Sequence, residues 1–141
     1  MTFISAGFAY AVAVFAFGFA LGTVRVLLLV PRLGATKSVL LEAPVILAIS
    51  WIVSKVIVQR FHVRPEPVAL GAMGGAAFGV LICLEFAVSV FIFGKAASAF
   101  FPEYGTPAGA IGLAAQIGFA LFPLVQACRP TQAVGKRIRQ G

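Results

Sequence analysis

The segment 68–93, VALGAMGGAAFGVLICLEFAVSVFIF, decides the fold class, because Glu85 is its only charged residue. At a rise of about 1.5 Å per residue, a helix of this length crosses a hydrocarbon core of about 30 Å. The apolar residues run continuously rather than in alternation, and a backbone surrounded by lipid must satisfy its own hydrogen bonds. The segment therefore predicts a membrane-spanning helix rather than a strand.

Three other apolar segments have a similar length, at residues 3–30, 39–58 and 107–128. The connections between the segments contain prolines and basic residues, and a proline cannot continue a helix that it interrupts. Thr106 and Pro107 form a helix-start signal, with Thr as the N-cap and Pro in the first turn. The chain is predicted to be an all-α, polytopic membrane protein: four transmembrane helices in a bundle, one domain over residues 1–141, and a short basic tail at 129–141.

The composition supports lipid as the main solvent. Hydrophobic residues make up 61% of the chain and charged residues 11%, whereas soluble domains carry about 25% charged residues. The net charge of +7 would suggest nucleic acid in a soluble protein, but here the basic residues cluster in connections and in the tail. We expect them to contact anionic lipid on the cytoplasmic side, and we expect no nucleic-acid partner.

The distribution of basic residues also predicts the topology. Four spans place both termini on one side of the membrane. Six basic residues lie on that side and three on the other: Arg60, Arg64, Arg129, Lys136, Arg137 and Arg139 against Arg32, Lys37 and Lys95. Because cytoplasmic loops carry the excess of positive charge, we expect both termini in the cytoplasm.

Catalytic and metal-binding residue types are scarce. His62 is the only histidine, and Cys83 and Cys128 lie in different predicted spans. No metal-ligand spacing and no set of nucleophile, base and orienting residue can be built from them. The sequence predicts no catalytic site, no metal, no cofactor and no enzymatic activity.

Small residues recur at four-residue spacing in two spans. Gly18 and Gly22 share a face of the first span, and Gly71, Gly75 and Gly79 share a face of the third. Lipid tails are as apolar as leucine, so helices in a membrane associate where small residues let their backbones approach. These faces predict helix packing, either inside the bundle or between copies of the chain.

Ionisable and polar residues inside spans are functional candidates, since burying them in lipid is costly. Arg25 and Glu42 enter neighbouring spans from the same side, and Arg25 lies on the Gly22 face, so the two are expected to pair. Glu85 and Gln116 lie roughly 12 Å and 14 Å below the same membrane edge in neighbouring spans, so they are also expected to meet. Either pair could hold helices together or line a path for an ion or substrate.

The segments 22–25 (GTVR), 31–34 (PRLG) and 41–44 (LEAP) resemble small, uncharacterised four-span proteins of the bacterial inner membrane. The resemblance covers about the first 45 residues; it implies a bacterial inner-membrane location and brings no activity with it. The small multidrug exporters are also short and four-spanned, but their essential Glu lies in the first span. The first span of this chain contains no Glu.

Two functional hypotheses follow from these patterns. The glycine faces and the scarcity of reactive groups favour an accessory or structural subunit of a larger complex, or a homo-oligomeric membrane component. The ionisable residues Arg25, Glu42 and Glu85 favour a small transporter or channel, which could be proton-coupled.

Overall fold

The computed structural model describes residues 2–128, and the predicted basic tail at 129–141 lies outside them. Four long helices account for most of the described chain: α1 (Thr2–Leu33), α2 (Ala35–Arg60), α3 (Pro67–Ile92) and α4 (Pro107–Ala127). Each is long and apolar enough to cross a membrane, and no strand occurs within residues 2–128. The predicted all-α, four-span architecture is confirmed.

The connection between α1 and α2 is shorter than the sequence predicts. Pro31 and Arg32 belong to the last turn of α1, and Gly34 alone separates the two helices. Gly34 has a φ of 83°, a left-handed value that residues with a side chain rarely adopt. Ser38 then donates a hydrogen bond of 2.6 Å from its hydroxyl to the Gly34 carbonyl. One glycine is therefore enough to reverse the chain.

The connection between α3 and α4 is longer and partly helical. A single helical turn (Ala97–Phe100) leads into a 3₁₀ turn (Phe101–Gly105). As predicted, Thr106 caps α4, and its hydroxyl oxygen accepts a hydrogen bond of 3.0 Å from the Gly109 amide. This connection lies over the end of the bundle that is remote from the N-terminus, where it forms one edge of the site described below.

The four helices form a square in which α1 and α4 lie diagonally opposite, each packed against both α2 and α3. Close approach occurs at two glycines. A Cβ on Gly7 of α1 would lie 2.7 Å from the Met73 carbonyl oxygen of α3, and a Cβ on Gly74 would overlap the Ala120 carbonyl oxygen of α4. The buried core surrounds these contacts, so the bundle is tightest in the half that holds the N-terminus.

Two π-helical turns lie at the opposite end, at Arg25–Leu29 in α1 and Val88–Ile92 in α3. A π-turn accommodates an extra residue in the helical turn, and such turns are frequent at functional sites. Large apolar side chains on the outer faces of the helices remain exposed, including Leu27, Ile52 and Phe91. This apolar exterior suits a surrounding bilayer.

Candidate functional site

A cavity of about 980 Å³ lies between the four helices, in the half of the bundle remote from the N-terminus. Its walls are mainly apolar, with Phe15, Ile46 and Leu81 among the lining side chains. Phe119 also lines it and stacks on the ring of Tyr10, at 4.3 Å between ring centroids. The volume lies at the upper end of the range of about 300–1,000 Å³ that is typical of small-molecule sites.

Arg25 and Glu42 form the first polar feature of the cavity. Arg25 Nη1 lies 3.1 Å from Glu42 Oε2, with 29% and 13% of the two side chains exposed. Arg25 Nη2 lies 3.7 Å from the position that a Cβ on Gly22 would take, so the guanidinium runs along the glycine. Gly18 faces Ile46 of α2 at a similar distance. The predicted pair is thus present, and the Gly18–Gly22 face lies toward it.

Glu85 is the second polar feature. Gln116 Nε2 of α4 donates to both Glu85 carboxylate oxygens at 2.7 Å, as the depths of the two residues predict. Tyr104, which the sequence places in the connection at the membrane surface, also donates to Glu85 Oε2 at 3.2 Å. Both predicted pairs line the same cavity.

Three buried polar atoms on residues that line the cavity have no hydrogen-bond partner within residues 2–128: Glu42 Oε2, Gln116 Oε1 and Ser89 Oγ. The Arg25–Glu42 contact is an ion pair without hydrogen-bond geometry, so Glu42 Oε2 retains its capacity to accept. Ser89 is 8% exposed and was not predicted as part of the site. Its signal in the sequence is its position four residues after Glu85, which places both residues on one helical face.

The mouth of the cavity carries its own ion pair, between Lys95 Nζ and Glu103 Oε1 at 2.6 Å. Tyr104 lies beside it. Burial, followed by the negative charge of Glu85, raises the pKa of the Tyr104 hydroxyl to about 12. Tyr104 therefore remains protonated at neutral pH and can donate to Glu85.

A second polar network lies near the N-terminal half of the bundle, where the sequence predicts no site. Ser54 Oγ of α2 donates to Gln126 Oε1 of α4 at 3.1 Å, and Gln126 Nε2 donates to the Trp51 carbonyl at 3.0 Å. The Trp51 ring meets Phe122 edge-on, with ring centroids 5.2 Å apart. These contacts hold α2 against α4 between the cavity and the chain ends.

The glycines of α3 divide between two faces. Gly74 touches α4, but a Cβ on Gly71, Gly75 or Gly79 would meet no atom within 4 Å. The predicted glycine face of α3 therefore does not pack inside the bundle. Packing between copies of the chain, the other interpretation of this face, remains a prediction.

Cys83 and Cys128 are free thiols exposed on the bundle surface. Within residues 2–128, no group of three His, Cys, Asp or Glu side chains could hold a metal ion. No protein-family model, curated protein or solved structure matches this chain.

Proposed function

We propose that this protein binds a small solute in its cavity and carries it across the membrane. The observation that supports the proposal is the location of Arg25, Glu42, Glu85 and Gln116 around one open volume. Ionisable groups in a membrane span are costly, and they commonly mark substrate or proton pathways. Three polar atoms of the lining residues have no hydrogen bond within residues 2–128, so a solute could donate hydrogen bonds to them.

The cavity favours a carrier over an open channel. Phe119 lines the cavity and stacks on Tyr10 beyond it, and both side chains are almost fully buried. A solute entering from the open end would therefore stop near the middle of the bundle, and its passage would require these two rings to separate. The proposal assigns no catalytic step, metal or cofactor to the chain.

The proposed setting is the bacterial inner membrane, with both termini in the cytoplasm. The six-to-three distribution of basic residues supports this orientation, and it would place anionic lipid against the basic residues of the cytoplasmic side. The cavity would then open toward the outside of the cell.

A plugged variant tests the proposal. Gly112 lines the cavity, and a Cβ there meets no atom within 4 Å, so Gly112→Trp would fill the volume without a clash at its base. Ile52→Trp adds the same ring to an outward face that is 61% exposed and serves as the matched control. The melting temperature of each purified variant is measured against a panel of small solutes, because a bound solute stabilises the folded state.

We expect at least one solute to stabilise the wild type and Ile52→Trp but not Gly112→Trp. The same solute should enter proteoliposomes containing the wild type and be excluded by Gly112→Trp. Stabilisation that is the same in all three proteins, or uptake that survives the plug, would contradict the proposal.

A second candidate function is favoured by the unpacked glycines of α3. We propose that the Gly71, Gly75 and Gly79 face could join copies of the chain in a homo-oligomer or attach it to a larger membrane complex. The oligomeric mass in a mild detergent tests this role. Gly79→Leu should reduce the mass to that of a monomer, or release a co-purifying protein, whereas an unchanged assembly would mean that this face contacts lipid.

A further inference from the structure

The charges around the cavity do not balance. Two cations and three carboxylates line it. Arg25 is paired with Glu42, and Lys95 with Glu103. Glu85 receives hydrogen bonds only from neutral groups, the Gln116 amide and the Tyr104 hydroxyl, and forms no ion pair within residues 2–128. One carboxyl group on the wall is thus in excess.

The polar atoms that have no hydrogen bond within residues 2–128 can all accept one. Glu42 Oε2, which lies 3.1 Å from Arg25 Nη1, and Gln116 Oε1 can only accept, and Ser89 Oγ can accept or donate. Their residues line the same cavity as Glu85, and Ser89 lies on the Glu85 face of α3. A ligand that satisfied these atoms would need to bring N–H or O–H donors. An anion, which has acceptors to offer, would leave them unsatisfied.

The rest of the cavity suits an apolar body. Phe15, Ile46, Leu81 and Phe119 are among the many apolar side chains that line it. A hydrated metal ion would gain nothing from these side chains. An organic group attached to the donor would bury its apolar surface against them.

We propose that the cavity binds an amphipathic organic ammonium ion: a primary or secondary amine attached to an aromatic or aliphatic body. The ammonium group lies between Glu85, Gln116 and Ser89, and the apolar body extends toward Phe119. This assignment rests on the proposed function, since it names the class of solute that the cavity takes.

Three probes of similar size and different head groups test the assignment: 2-(1-naphthyl)ethylammonium, 2-(1-naphthyl)ethanol and 1-naphthylacetate. Their binding to the full-length protein in detergent is measured calorimetrically, with detergent micelles alone as the blank. We expect the amine to bind at least about tenfold more tightly than the alcohol or the carboxylate, since a charge-assisted hydrogen bond is about twice as strong as a neutral one. Gly112→Trp should abolish this binding.

Two wall variants identify the group responsible. Glu85→Gln should remove the preference for the amine, whereas Glu66→Gln, which changes an exposed carboxyl in the connection before α3, should keep it. Ser89→Ala provides an independent measurement if Glu85→Gln folds poorly, because Ser89 Oγ makes no hydrogen bond within residues 2–128 that the substitution would remove. It should weaken amine binding by about threefold to tenfold and leave the melting temperature unchanged.

Several results would overturn the assignment. Equal or tighter binding of the alcohol or the carboxylate, sensitive to Gly112→Trp, would overturn the amine class and leave the proposed solute-binding function standing. An amine preference that survives both Glu85→Gln and Ser89→Ala would place the ammonium group away from these two residues and overturn the assignment as well. If none of the three probes binds, the amine assignment is also overturned. The proposed solute-binding function is then still decided by the solute panel measured on the wild type and Gly112→Trp.

Discussion

The hydroxyl of Tyr10 in α1 donates a hydrogen bond of 2.9 Å to the carbonyl oxygen of Phe119 in the diagonally opposite helix α4. In an unbroken helix this carbonyl would accept the amide proton of residue 123, but Pro123 has none. Tyr10 therefore supplies the donor that the proline removes. The same two side chains stack with ring centroids 4.3 Å apart, and Phe119 also lines the cavity. This contact between α1 and α4 therefore satisfies the Phe119 carbonyl and positions one ring of the cavity wall.

Replacing Tyr10 with Phe tests this relationship. Tyr10→Phe keeps the ring but leaves the buried Phe119 carbonyl without a donor, so the free energy of unfolding should fall by about 1–3 kcal/mol. Pro123→Ala restores an amide proton at the position that serves Phe119. In that background, Tyr10→Phe should cost clearly less, measured by denaturant titration in detergent. Equal costs in both backgrounds would mean that Pro123 is unrelated to the Tyr10 bond.

A double-mutant cycle tests the Arg25–Glu42 ion pair. Removing either partner leaves the other charge partly buried and unpaired. The losses of stability in Arg25→Met and Glu42→Gln should therefore add up to more than the loss in the double variant. We expect a coupling energy of about 0.5–3 kcal/mol in the free energy of unfolding. Additive effects would show that each residue is satisfied by water or by another group.

The two glycine faces of α3 should respond differently to a single methyl group. Gly74→Ala places a Cβ against the Ala120 carbonyl, so it should force α3 and α4 apart and destabilise the bundle by more than about 1 kcal/mol. Gly79→Ala meets open space and should stabilise α3 by about 0.5–1 kcal/mol through its higher helix propensity. Melting temperatures of the two variants in detergent provide the comparison, and similar values would contradict the packing of α3 described above.

Glu85→Gln separates a structural role of Glu85 from a functional one. The new amide can still accept from Gln116 Nε2, and it can donate to Gln116 Oε1, which accepts no hydrogen bond from the described part of the chain. The free energy of unfolding of Glu85→Gln should therefore stay within about 1 kcal/mol of the wild-type value. In Glu85→Leu it should fall by about 1–3 kcal/mol for each donor left unpaired. If Glu85 carries solute or protons, Glu85→Gln keeps the fold and loses transport. Full transport by Glu85→Gln would restrict Glu85 to structure.

Cysteine labelling tests the orientation that the charge distribution predicts. In a background with Cys83 and Cys128 replaced by Ser, Gly105→Cys should react with a membrane-impermeant maleimide added to intact cells, because Gly105 lies in the connection between α3 and α4. Gly141→Cys, at the end of the chain, should react only after the membrane is permeabilised. Labelling of Gly141→Cys in intact cells would reverse the proposed orientation and place the cavity mouth in the cytoplasm.

The local pattern of the sequence was sufficient to predict the four helices and two side-chain contacts between them. Span length depends only on the continuous apolar runs. Arg25 and Glu42 lie on consecutive helices, as do Glu85 and Gln116, so the rise per residue alone places each pair at a common depth. Both contacts could therefore be predicted without knowing how the bundle is arranged.

The tertiary structure alone decided which faces meet. In a soluble protein the polar face of a helix indicates its outward side, but lipid is as apolar as the core, so the apolar pattern of α3 does not show whether Gly74 or Gly75 faces inward. For the same reason the Tyr10–Phe119 bond, between residues 109 positions apart, could not be predicted. That diagonal contact, the π-turns and the return of Tyr104 to Glu85 all contribute residues to the cavity wall. All three are set by how whole helices are rotated and spaced, which no local stretch of sequence encodes.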